Sequence, residues 1–227
     1  LVFYNKDGNI RNRFVNGKIL GDITFSPFFN FDLDLNLASL NFRSLVKILV
    51  KMSNQNINDF LILNNKINGN LNIFINKIYT SSKIIKSLES RVKFSNRDII
   101  IEQMLFDLGK LGAADIVGRI KNKDNKINFI FKKNLFLDNP KYFFNKFSVY
   151  NKNSNPQNLF ISGRFNFTKP KIYISELITD SKLSEDDKSF YQEEFNQMLL
   201  ENGYSSLFDF FKLKEFVKLI NIETKQN

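Results

Sequence analysis

A chain of 227 residues with 43% hydrophobic and 25% charged residues has the composition of a folded protein, one large domain or two small ones, and not of a disordered segment. It contains no His, Cys or Trp, which excludes disulfides, thiolate chemistry, cysteine zinc sites and the commonest general base. The net charge of +10 comes from scattered lysines; with 26 Phe and abundant Asn and Ile it fits an A/T-rich coding bias, so it points to no particular anionic partner.

In chain order, Ile19, Gly21, Ile23 and Phe25 read as a strand, with Gly17 marking the turn before it and Pro27 interrupting the ladder after it. Phe29 to Leu37 then alternates apolar and small polar residues without a slip. Successive strand side chains point to opposite faces, so this run predicts a half-exposed strand of about 30 Å. Residues 45–52 look helical, with Ser44 as N-cap, and Ser53 to Asn58 reads as a loop.

Ile67, Gly69, Leu71, Ile73 and Ile75 give another strand, entered through a turn at Asn68-Gly69-Asn70. Ser82 to Leu88 fits a short helix or the start of a strand. Val92 and Phe94, then Ile99 and Ile101, flank Ser95-Asn96-Arg97-Asp98 as a tight hairpin. Ala114 to Ile120, Ile127 to Phe131 with Leu135 to Leu137, Leu159 to Phe167, and Ile172 with Ile174 alternate in turn, and Tyr142 to Phe147 reads as a short helix.

From Ser184 the period changes. A hydroxyl followed by Glu185, Asp186 and Asp187 is a helix start, since the helix dipole favours carboxylates in the first turn. This helix is expected to end at Gly203. A last one, capped by Ser205 or Ser206, would carry Leu207, Phe208, Phe211, Phe216, Val217 and Ile220. The fold class is therefore mainly β (α+β), an antiparallel body over 1–176 and a helical segment of two amphipathic helices over 177–227.

No catalytic constellation accompanies these elements, and the chain is read as noncatalytic, with no cofactor and no metal. Asp32 and Asp34 share one strand face but lack a third ligand, so they read as a solvated face. Glu193 and Glu194 read as helix surface. Gly109-Lys110-Leu111-Gly112 fits neither a phosphate loop nor the clamp of a KH module, because a strand follows it. Phe129, Phe131 and Phe136 interleaved with Lys132 and Lys133 could stack bases, yet an amphipathic strand with edge lysines explains them as well, and nucleic acid is not the expected partner. No run reaches the 18 or so apolar residues of a membrane-spanning helix. Leu1 in place of Met suggests a fragment, so the absence of a signal peptide or N-terminal anchor proves nothing.

Three stretches carry a family resemblance: Asp32 to Leu40; Ile67 to Ile73; and Val92 to Glu102 followed by Leu108 to Ile120. Their rhythm of strand, short turn, strand, glycine turn and a strand ending in Gly118-Arg119-Ile120 resembles the C-terminal part of AsmA-like bacterial envelope proteins, the AsmA, TamB and YhdP type. It covers roughly residues 15 to 175. Arg97 stands where the family turn carries Gly, but Asn96 can take the left-handed conformation such a turn needs.

The resemblance implies an elongated, twisted antiparallel sheet curled into a half-pipe groove with an apolar concave face, closed here by the two C-terminal helices. It implies a periplasmic protein held at the inner membrane by an N-terminal segment preceding Leu1, one that handles phospholipid during outer-membrane assembly. The expected function is binding or conducting acyl chains along the groove. By alternation, its lining would be Phe29, Phe31, Leu33, Leu35, Leu37, Leu71, Ile73, Ile75, Val92, Phe94, Ile99 and Ile101. The alternatives are an assembly module that docks a protein partner through its C-terminal helices and a basic nucleic-acid-binding domain.

Overall fold

A computed structural model describes residues 2–49, 61, 66–80, 82–123, 126–179, 183–203 and 210–223. Ten strands form one open sheet: β1 (Val2–Arg11), β2 (Val15–Thr24), β3 (Phe29–Leu40), β4 (Ile67–Ile75), β5 (Ser87–Ser95), β6 (Asp98–Asp107), β7 (Gly112–Lys123), β8 (Lys126–Leu137), β9 (Gln157–Asn166) and β10 (Lys171–Thr179). Their spatial order is their chain order. The described helices are α1 (Phe42–Leu49), α2 (Pro140–Lys146), α3 (Glu185–Asn202) and α4 (Phe210–Glu223), with a 3₁₀ turn at Gly109–Leu111. The protein is mainly β, and its sheet is antiparallel at every pair but one.

The exception is β3 with β4, which run parallel, Phe29 beside Ile67 and Leu37 beside Ile75. A parallel pair cannot be joined by a tight hairpin. The two are accordingly joined by the long segment from Asn41 to Lys66, which α1 opens. This corrects the turn expected at Asn68-Gly69-Asn70, whose residues are paired within β4. Gly69 is there for space: a Cβ on it would meet the Phe31 ring at 2.7 Å. Gly17 also lies inside a strand, opposite Leu37, and does not mark a turn.

Other expectations shift by a few residues. β1 had no counterpart in the sequence reading. Pro27 sits in the β2–β3 turn, where the Ser26–Pro27 peptide is cis. Helix α1 begins at Phe42, and Asn41 rather than Ser44 caps it, its side chain accepting from the Ser44 amide at 3.1 Å. Ser82 to Lys86 forms no helix, and β5 begins at Ser87. The loop expected at 53–58 and the cap at Ser205 or Ser206, with Leu207 and Phe208, lie outside the described residues.

Two expectations are realised in detail. In the β5–β6 turn both Asn96 and Arg97 have positive φ, 52° and 69°, as a two-residue hairpin matching the strand twist requires. At the start of α3 the Ser184 hydroxyl accepts from the Asp187 amide, while the Asp187 carboxylate accepts from the Ser184 amide at 2.7 Å, a reciprocal capping box.

Two buried clusters anchor the molecule. Leu37, Ile75 and Ile78 pack with Val15, Leu40, Phe42, Ile85 and Leu88 at the end of the sheet where α1 lies. Phe131, Phe165 and Leu199 pack with Phe129, Ile161, Ile172 and Phe195, seating α3 on β8 to β10. Helix α4 meets α3 through Phe216 against Phe195, rings 5.5 Å apart.

Candidate apolar binding face

Strand register decides which side chains share a face, because pairing partners point the same way and residues two apart return to the same side. Across β2 to β7 the register links Ile19, Leu35, Ile73, Ser90, Met104 and Ile116 in one row. A second row joins Gly21, Leu33, Leu71, Val92, Ile101 and Gly118. A third joins Ile23, Phe31, Gly69, Phe94, Ile99 and Ile120. These rows stack into one apolar face.

All twelve residues expected from alternation lie on this face, on four adjacent strands, β3 to β6. Leu37, Ile75, Val92 and Ile99 are buried. Phe29, Phe31, Leu33, Leu35, Leu71, Ile73, Phe94 and Ile101 keep part of their surface exposed. Phe31 contacts Phe29 and Phe94, with ring centroids 5.7 and 5.3 Å apart. Among the described residues, the extensive helix–sheet contact is that of α3 with β10, so no helix covers β3 to β6 in the same way.

The list was incomplete. Ile19, Ile23, Met104, Ile116 and Ile120 belong to the same rows, and parity within their own strands would have found all but Met104. Met104 was hidden by a bulge: the β6 register shifts between Ile101 and Met104, so odd positions face the apolar side before it and even positions after it.

Polar residues on this face are few and accounted for. Ser90 is fully buried, and its hydroxyl donates to the Gln103 carbonyl at 3.1 Å, beside the bulge. At the paired positions of β2 to β10 the register places a single charged side chain here, Lys133, between Ile116 of β7 and Ile161 of β9. It is partly buried and has no hydrogen bond or ion pair among the described residues. Loss of water around the ammonium pushes its pKa below the ordinary lysine value.

The opposite face is a surface of cross-strand polar pairs. Asn72 donates to Asp34 at 2.8 Å, Arg91 to Gln103 at 2.6 Å and Asn134 to Asp115 at 3.2 Å, and Arg119 meets Asp98 at 3.2 Å. Phe74, Ile130 and Phe136 are exposed among them. Asp34 is thus occupied by an amide, and no group of three or more acidic residues is arranged around a cation among the described residues. The base-stacking set divides: Phe129, Phe131 and Lys133 fall on the apolar face, Lys132 and Phe136 on the other. Gly109-Lys110-Leu111-Gly112 forms a 3₁₀ turn leading straight into β7, without the flanking helices a KH clamp needs.

No protein-family model, curated protein or solved structure matches the chain.

Proposed function

We propose that the chain is a noncatalytic lipid-handling protein of the AsmA-like kind, whose apolar sheet face, curled into a groove, holds phospholipid acyl chains. The observation that carries this reading is the continuity of the face. Six strands present aligned apolar rows without a charge, and eight of the twelve expected residues keep part of their surface exposed. Across β2 to β7 each row spans about 24 Å at ~4.8 Å per strand, beyond the ~15 Å that one leaflet of a bilayer occupies. An acyl chain laid there gains about 0.8 kcal/mol per buried methylene.

Two further features support it. The strand ends near α1 are sealed by buried apolar residues, which directs an opening to the sheet face and the hairpin end, where Phe25 and Phe28 are exposed. Helix α3 packs on β8 to β10, and α4 packs on α3. On this reading the protein works in the bacterial envelope, between inner and outer membrane. Among the described residues no helix is long and apolar enough to cross a membrane.

A phospholipid with a photoactivatable acyl chain tests this directly. Adducts are expected at Phe29, Phe31, Leu33, Leu35 and their row partners. Adducts confined to Asp32, Asp34, Asn36 and the helices, or none, would overturn it. A docking module remains the second reading because Leu200 on α3 and Phe211 on α4 are strongly exposed. It requires that Leu200→Glu abolish a protein complex while acyl labelling is unchanged.

A further inference from the structure

We infer that Lys133 is the headgroup-pairing residue of this face, selecting a phospholipid with a net negative headgroup over a zwitterionic one. The inference rests on the acyl-binding reading above. Its own basis is the placement of a lone cation. Lys133 lies in the alternating series Phe129, Phe131, Lys133, Leu135, Leu137, and its cross-strand neighbours are Ile116 and Ile161.

A cation among apolar neighbours is costly unless a counter-charge meets it. Here the chain supplies none among the described residues. The anion must come from outside, and the acyl rows say what it is attached to. From Lys133 the row runs through Ile116, Met104, Ile73 and Leu35 to Ile19, with Ser90 turned away to its carbonyl partner.

Apolar rows flank Lys133 on both sides, one through Phe131 and Gly118, the other through Leu135 and Ala114. Two chains leaving one anionic group fit this arrangement, which favours a diacyl phospholipid over a single-chain carboxylate. The lysine ammonium, a point charge with three donors, pairs with a phosphate carrying no cation of its own. Its depressed pKa agrees: burial without a partner disfavours the ammonium, and an incoming anion restores it.

The test is transfer of labelled phosphatidylglycerol or phosphatidylcholine, each as a trace in identical phosphatidylcholine vesicles, so that the surface charge of the donor is constant. The intact chain is expected to take up phosphatidylglycerol about tenfold better, the scale of a hydrogen bond to a charged group. Lys133→Met should erase the preference, bringing uptake of the two lipids level, and Lys133→Arg should keep it. A preference that survives Lys133→Met overturns the inference but not the groove. So does Lys133-dependent uptake of oleate alone, or displacement of the lipid by inorganic phosphate. Failure of the intact chain to take up either lipid overturns both.

Discussion

The side-chain amide of Asn196 bonds both backbone groups of Ile172, accepting from its N–H at 2.7 Å and donating to its C=O at 3.0 Å. One turn earlier Gln192 accepts from the Ile174 amide at 2.7 Å. Helix α3 thereby does for β10 what an eleventh strand would do, occupying groups that would otherwise template pairing with another chain. Asn196→Leu should remove both bonds and lower stability by about 2 kcal/mol. Thermal unfolding should show it, together with concentration-dependent association by sedimentation; an unchanged melting temperature would contradict it.

Gly69 lets β3 and β4 approach beneath the Phe31 ring. Gly69→Val forces that ring aside and crowds the parallel pair, with an expected loss of about 1–3 kcal/mol. Phe31→Ala in the same chain should return only part of it, because the added Cβ also meets the Phe31 carbonyl oxygen. A double-mutant cycle in denaturant measures the share.

Lys133 makes stability pH-dependent in a defined direction. Its folded pKa lies below 10.5, so between the two values the folded chain holds fewer protons than the unfolded one. Stability should therefore rise as pH climbs through the folded pKa towards 10.5. Lys133→Met should flatten that rise and be more stable than the parent chain at neutral pH. Denaturant titrations from pH 7 upward, compared between the two, read the difference.

Asp187 behaves oppositely. Hydrogen bonds from the Ser184 amide and hydroxyl hold its carboxylate below the ordinary value of 3.8. Its contribution to α3 is present above that value and is lost as pH falls through the folded pKa. Asp187→Asn should weaken the helix at neutral pH and remove this part of the acid sensitivity, which amide exchange along α3 reports residue by residue.

Alternation alone carried the face assignment. Phe29 to Leu37 lie where their parity puts them, and so does Lys133, whose series Ile127, Phe129, Phe131, Leu135, Leu137 is visible in the chain. Parity says nothing about which strands pair, so the parallel β3–β4 contact was not legible and Gly17 and Gly69 passed for turn residues. The β6 bulge reverses parity within one strand, which hid Met104. β1 was not legible because its register shifts between Asn5 and Gly8, which breaks its alternation. The capping box was legible because it is local, a hydroxyl and a carboxylate three residues apart. What covers a face depends on contacts distant in sequence, and the hold of Asn196 on Ile172 has no local signature.

The most direct measurement is mass spectrometry of the organic extract from the chain purified without detergent. Acyl binding along β3 to β7 predicts co-purified phospholipid approaching one molecule per chain, enriched in species with a net negative headgroup. An extract free of acyl lipid, from protein that also takes up none when offered vesicles, would contradict it.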